Sequence, residues 1–300
     1  MALYRGPIID AHHHLWDLSD GGYPWLGAER RPEMVFGPTA ALARDYRIAD
    51  YLNDIAGENV VKSVHIEAGY GGAPWEETAW LQTIAARHGY PHGIVAAAPL
   101  DDPDLETVLQ RHRAAPNLRG IRAVASWHAD PRFRFAARPD LMESAGWRRG
   151  LDALHAHDLT LDLMVNAGQL GDAARLAREH AALPIVINHA GGPVDRAPAD
   201  LDRWRDGLHR LADAPNVWIK ISDLAAYDHA WSVESYRPIV TAVIAAFSVE
   251  RCMFGSDFPV AGLHGTFAAH FDAFRAIVAE MPEAAQRRLF HDNAQAFYRL

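Results

Sequence analysis

Eight short, near-continuous apolar runs alternate with longer amphipathic stretches, and this alternation constrains the fold more than any other feature. The runs are Ile8–Ala11, Val60–Glu67, Gly93–Ala97, Leu118–Val124, Leu159–Val165, Ile185–Asn188, Val217–Ile221 and Cys252–Gly255. Strands of a parallel sheet are buried on both faces, so they read as unbroken apolar segments rather than alternating ones. Around them lie stretches of helical character: Ala49–Asn59, Trp75–His88, Asp104–Ala114, Ser144–His157, Ala173–His180, Ala199–Ala212, Tyr236–Phe247 and Gln286–Tyr298. Several start with Asp, Ser or Pro, residues that suit helix N-termini. Strand alternating with helix builds parallel βαβ units. Eight such strands predict an α/β fold, a (β/α)8 TIM barrel, in which ~250 residues form one domain. An open doubly wound sheet is the alternative. No internal repeat or Gly/Ser linker divides the chain, so residues 1–300 read as one domain. Two long connections, Asp17–Tyr46 after the first strand and Ser126–Pro139 after the fourth, are candidates for functional loops.

Charge and cysteine content narrow the partners. A formal charge of −9 opposes a nucleic-acid partner, because phosphate binding wants a basic face. Basic residues are scattered and form no membrane-surface patch. Cys252 is the single cysteine, so no internal disulfide or cysteine-based zinc site is expected, which suits a reducing cytoplasm. Met1–Pro7 lacks the pattern of a signal peptide, and no run of ~18 apolar residues suggests a membrane span. A small-molecule substrate is the partner this leaves, and no feature encodes an oligomeric state.

Three strand ends carry the chemistry. The first strand ends in Asp10-Ala11-His12-His13-His14. Side chains alternate along a strand, so His12 and His14 point one way and His13 the other. Two imidazoles on one side can hold a divalent metal, or they can be a hydrogen-bonded pair without one. The sixth strand runs into Asn188-His189-Ala190-Gly191-Gly192. Strand C-termini face the active site of a barrel, so His189 belongs to the same mouth, unless it only caps a loop. The eighth strand delivers Gly255-Ser256-Asp257-Phe258-Pro259. Asp257 can bind metal or take a proton from an attacking water; alone, it could equally cap a helix.

Other positions are weaker. Arg122 near the end of the fourth strand either orients a carboxylate or carbonyl, or forms a structural ion pair. His65 and Glu67 alternate in the second strand and would share a face. Lys220 lies in the seventh strand beside Asp223. Each of these can hydrogen-bond the residues around the reacting groups. Trp16, Trp25, Trp75 and Trp127 either wall a pocket or pack in the core. His88, His112, His155 and His180 fall on helical stretches and are expected in solvent. There is no Gly-x-Ser-x-Gly elbow, no Walker loop and no Gly-x-Gly-x-x-Gly after a strand. Cys252 sits inside an apolar strand, where a thiol is inert. Water is therefore the expected nucleophile.

At these motifs the chain resembles the amidohydrolase superfamily, in its amidohydrolase-2 branch. The likeness rests on Asp10-Ala11-His12-His13-His14, Asn188-His189-Ala190-Gly191-Gly192 and Phe254-Gly255-Ser256-Asp257. Leu15-Trp16-Asp17, Tyr23-Pro24-Trp25-Leu26, Arg119-Gly120-Ile121-Arg122 and Val217-Trp218-Ile219-Lys220-Ile221-Ser222 point to its lactonase-like group, that of L-fuconolactonases, L-rhamnonolactonases and 4-sulfomuconolactonases. The resemblance implies a barrel and hydrolysis of a cyclic ester. It makes His12, His14, His189 and Asp257 the central four, holding one divalent metal, zinc in some relatives, or none. Arg122 carries over as a substrate-orienting residue. Rival readings are a metal-dependent decarboxylase of the same branch, a cyclic-amide hydrolase, and a non-catalytic binding protein.

Overall fold

The computed structural model describes residues 3–19, 21–27 and 34–300. Met1, Ala2, and Asp20 and residues 28–33 of the Asp17–Tyr46 connection lie outside the described residues. Eight strands form one sheet: β1 Ile8–His13, β2 Val60–Ile66, β3 Gly93–Ala97, β4 Leu118–Val124, β5 Thr160–Met164, β6 Ile185–Ile187, β7 Val217–Ile221 and β8 Cys252–Phe254. They are hydrogen-bonded in sequence order and every pair is parallel. The last strand returns to the first. The amide of Asp257 donates to the carbonyl of His12 at 2.8 Å, and that of His14 donates to Phe258 at 2.8 Å. This seam closes the barrel and excludes the open-sheet alternative.

Helices follow in turn: α1 Ile48–Asp54, α2 Pro74–His88, α3 Leu105–His112, α4 Ala145–Ala156, α5 Leu170–Glu179, α6 Pro198–Ala212, α7 Val233–Phe247, α8 Phe267–Val278, α9 Glu283–Arg287 and α10 Asn293–Tyr298. Helix α8 has no counterpart in the sequence reading. Its Thr266 N-cap accepts from the amide of Ala269, and Phe267, Phe271, Phe274 and Val278 are buried at helical spacing. The expected helix Gln286–Tyr298 is interrupted by a π-helical turn at Arg288–Asp292. One apolar cluster joins Ile9, Ala11, Val64, Ile66, Val95, Val186 and Met253 to Ala294, Phe297 and Tyr298. Residues of α10 thus plug the end where the strands begin, where Lys62 also donates to Gln295 at 2.8 Å. A larger cluster fills the space between sheet and helices.

His112 departs from expectation. It is buried, with one ring nitrogen 2.9 Å from the Thr78 hydroxyl and the other 2.9 Å from the carbonyl of Ala97. Its helix packs that face inward, so the polar atoms find partners instead of water. His180 is largely covered and lies 3.0 Å from Asp152, whereas His88 and His155 are exposed. Cys252 is buried, and desolvation pushes its thiol up, away from reactivity. Among the described residues no helix is long and apolar enough to cross a membrane.

Candidate active site

The site starts from an irregularity in β1. Asp10 pairs with Ser63 and His13 with His65, so three steps on β1 oppose two on β2. Such a bulge re-aims side chains. Asp10 and His13 consequently meet the same outer residue: Tyr51 of α1 donates to Asp10 at 3.0 Å and stacks on His13 at 4.1 Å. His12 and His14 turn to the mouth. Ser256 ties Asp10 to the closing strand, donating its amide at 2.8 Å and its hydroxyl at 2.7 Å.

Three imidazoles converge on one carboxylate oxygen. Asp257 Oδ1 lies 3.1 Å from His12 Nε2, 3.3 Å from His14 Nε2 and 3.8 Å from His189 Nε2. The residues at the ends of β6, β7 and β8 hold unusual backbones: φ is +51° at His189, +51° at Asp223 and +57° at Asp257. Left-handed conformations of this kind gather at functional sites. Gly191 and Gly192 continue the turn with φ of +72° and +60°, and a Cβ at Gly192 would sit 2.5 Å from the carbonyl of Val165. The glycines after His189 are thus required by the turn.

Hydrogen bonds orient each ring. His14 Nδ1 donates to the carbonyl of Ile66 at 2.8 Å, which leaves the Nε2 lone pair facing Asp257. Two acceptors face each other there unless a proton or cation lies between them. His189 Nδ1 is 3.0 Å from the Ser222 hydroxyl. His12 Nε2 is buried and lacks a properly aligned hydrogen-bond partner despite its closeness to Asp257. An orphaned imidazole nitrogen, a facing lone pair and a shared carboxylate are what a divalent cation would satisfy, so the residues fit a metal. His12, His14 and Asp257 form one candidate ligand group; His189, Asp223 and Asp257 form an overlapping one.

Burial and neighbouring charge split the two carboxyls. Desolvation alone would raise Asp257, but the facing His189, His12 and His14 outweigh it and hold the group well below the usual range. Desolvation and the negative charge of Asp257 push Asp223 well above its ordinary value. Desolvation drives His189 down to about 3.

Above this cluster opens a cavity of about 630 Å³. Of the residues singled out from sequence, His14, Trp25, Glu67, Arg122, His189 and Asp257 line it. Both long connections reach it, one through Trp25, Val35 and Phe36, the other through Phe133 and Phe135. His12 lies beneath, fully buried. Five other expectations fall elsewhere. Trp16 is buried under Trp25, its ring edge-on at 5.5 Å, and donates to Arg44. Trp127 carries the Arg134 guanidinium 5.3 Å over its ring. His65 sits behind the site, accepting from the amide of Leu15 at 2.9 Å. It faces outward because its neighbours Val64 and Ile66 fill the barrel. Lys220 is buried below His12, paired with Asp162 at 2.6 Å. Trp75, also weighed as a wall, instead carries Arg111 5.5 Å over its ring.

The sequence named Asp223 only as a neighbour of Lys220, not as a group of the site. Its signal was positional, two residues beyond β7 just as His189 lies two beyond β6. Its Oδ1 is buried without a partner among the described residues. Arg122 reaches Glu67 Oε1 at 3.3 Å, so the cavity sets three carboxyl groups against one guanidinium that is already paired.

A family model described as Amidohydrolase matches residues 9–300. Uncharacterized protein y4mH of Sinorhizobium fredii is 40% identical over 98% of each chain. An L-fucono-1,5-lactonase of Burkholderia multivorans is 31% identical over 92% of this chain and 88% of its own. The crystal structure of an amidohydrolase from Burkholderia multivorans with bound zinc has a TM-score of 0.81 and 27% identity, covering 98% of this chain and 100% of that one. With the match running from the first strand to the last residue, the chain belongs to the amidohydrolase family.

Proposed function

We propose that this hydrolase opens an uncharged lactone, with sugar-acid lactones first among substrates, by attack of water. The observation that carries the reading is the buried Asp257 at the floor of the cavity, with three imidazoles around one of its oxygens. Asp257 accepts the proton of a water held against the ester carbonyl. Asp223, carrying a proton and facing the same cavity, donates a hydrogen bond to a substrate oxygen. His12, His14, His189 and Asp257 would hold one divalent ion, zinc by likeness to the structure with bound zinc, and its Lewis acidity would polarise the carbonyl. Arg122, braced by Glu67, orients the ring from the side. Trp25, Phe36, Phe133 and Phe135 cover its apolar face and exclude water.

The charge balance favours a neutral ring over an acid. Glu67 and Asp257 would repel a dicarboxylate, and Arg122 is already engaged. This argues against a muconate-type lactone and against decarboxylation of an aromatic acid. The L-fucono-1,5-lactonase relative points the same way. A pH-indicator screen over sugar lactones, a muconolactone and an aromatic acid tests the reading. Acid release from a sugar lactone, lowered about 10²–10⁴-fold by Asp257→Asn, is expected. Near-normal turnover in that variant, or CO2 release in place of acid, would overturn it.

A further inference from the structure

The nitrogen of His12 that faces away from Asp257 meets an unusual neighbour. Lys220 Nζ lies 3.4 Å from His12 Nδ1. An imidazole that binds a metal through one nitrogen donates its other N–H to an acceptor such as a carboxylate or carbonyl. His14 obeys that rule through the carbonyl of Ile66. His12 does not, because an ammonium has protons to give and no lone pair to receive one.

Lys220 is held in this state by its surroundings. It is fully buried and its counter-charge is Asp162, 2.6 Å away. Asp162 also accepts from the Tyr298 hydroxyl at 2.9 Å and from Asn188 at 3.2 Å, so three donors surround it. The Tyr298 ring faces the ammonium at 5.2 Å. Leaving Asp162 would strand a buried charge, so the ammonium stays beside Asp162 and within reach of His12.

We propose that Lys220 is a positioning residue that sets the metal affinity of the site. Its ammonium donates to His12 Nδ1 and keeps the ring as the Nε2–H tautomer, the form that cannot ligate through Nε2. The Nε2 proton then points to the Asp257 side, where Oδ1 lies 3.1 Å away. A cation entering between His12, His14 and Asp257 must displace the Nε2 proton, forfeit the Lys220 hydrogen bond and meet a second positive charge. The site therefore binds metal weakly and releases it readily, with His14, His189 and Asp257 as its stronger ligands. The inference rests on the metal-centre reading above.

The test is zinc titration of the metal-free enzyme by calorimetry, comparing the native chain, Lys220→Met, and the double variant Lys220→Met/Asp162→Asn, which removes both buried charges. At least tenfold tighter binding is expected in the variants, by the usual weight of groups behind a metal ligand. Asp257→Asn should abolish binding. A long-range proton–nitrogen spectrum of the native metal-free enzyme should report the Nε2–H tautomer at His12; this reading needs no variant to fold. Equal or weaker zinc binding in the variants, or an Nδ1–H tautomer, overturns the role of Lys220 alone. Zinc binding untouched by Asp257→Asn, or no zinc binding in any form, removes the metal centre itself.

Discussion

Two carboxyls in one cavity are pushed in opposite directions by their neighbours. Asp257 is surrounded by imidazoles and stays ionised. Asp223 has an unpartnered oxygen, and burial and the nearby Asp257 push it up, toward its protonated form. Pairs driven apart in this way divide the work of base and donor. If Asp223 acts through its O–H, an amide can replace it. Asp223→Asn should therefore lose less than about tenfold in kcat/KM, while deletion of the group loses about 10²-fold. Glycine is the proper deletion, since φ of +51° at this position costs it nothing. Equal losses in the two variants would rule out a donor role for Asp223.

At the level of elements, the site depends on how closely β8 approaches β1. Gly255 makes the approach possible: a Cβ there would lie 2.8 Å from His12 Cβ and 3.0 Å from its amide nitrogen. The neighbour is backbone, which cannot swing aside. Gly255→Ala should push the seam apart and move His12 off Asp257. The expected cost is about 1–3 kcal/mol in stability, with a loss of lactone hydrolysis greater than the fraction unfolded accounts for. Urea unfolding read beside activity checks this, and unchanged values of both would contradict the packing. Helix α10 acts at the other end, closing the barrel floor and bringing Tyr298 to Asp162. The charge beneath His12 is thus tied to the end of the chain.

For the whole molecule, buried neutral groups set the response to pH. Desolvation pulls His13 to about 3 and His270 to about 4, from an ordinary 6.5. Below 6.5 the unfolded chain takes up protons that the folded one refuses. The stability these rings contribute is present above that pH and is lost as pH falls toward 4 and 3. Glu77 works the other way. Burial, with Glu67 adding, raises it to about 8, so its contribution is greatest below 4.5 and is lost as pH rises through 8. Asp10, raised by burial to about 6, works as Glu77 does, but between 6.5 and 4.5 His13, His189 and His270 outnumber these two carboxyls. Urea midpoints measured from pH 7 to pH 4 should fall at each step below 6.5, most steeply below 4.5, by about 1.4 kcal/mol per pH unit for each net proton. A flat profile would mean the rings are not held neutral in the fold.

Apolar runs and helical stretches, repeated eight times, were enough to specify a closed barrel, because burial on both strand faces leaves a local mark in composition. The ends of those runs also marked His12, His14, His189 and Asp257, since strand length alone decides which residue emerges at the mouth. Which way the emerging residues turn was not local. Lys220 and Asp223 lie three apart, yet one is sealed beneath His12 and the other faces the cavity. Trp16 and Trp25 differ in the same manner. The bulge in β1, the β8 seam and the folding of the two long connections over the rim made those choices. Each depends on contacts between segments far apart in the chain, and periodicity records only the contacts a segment makes with its own layer.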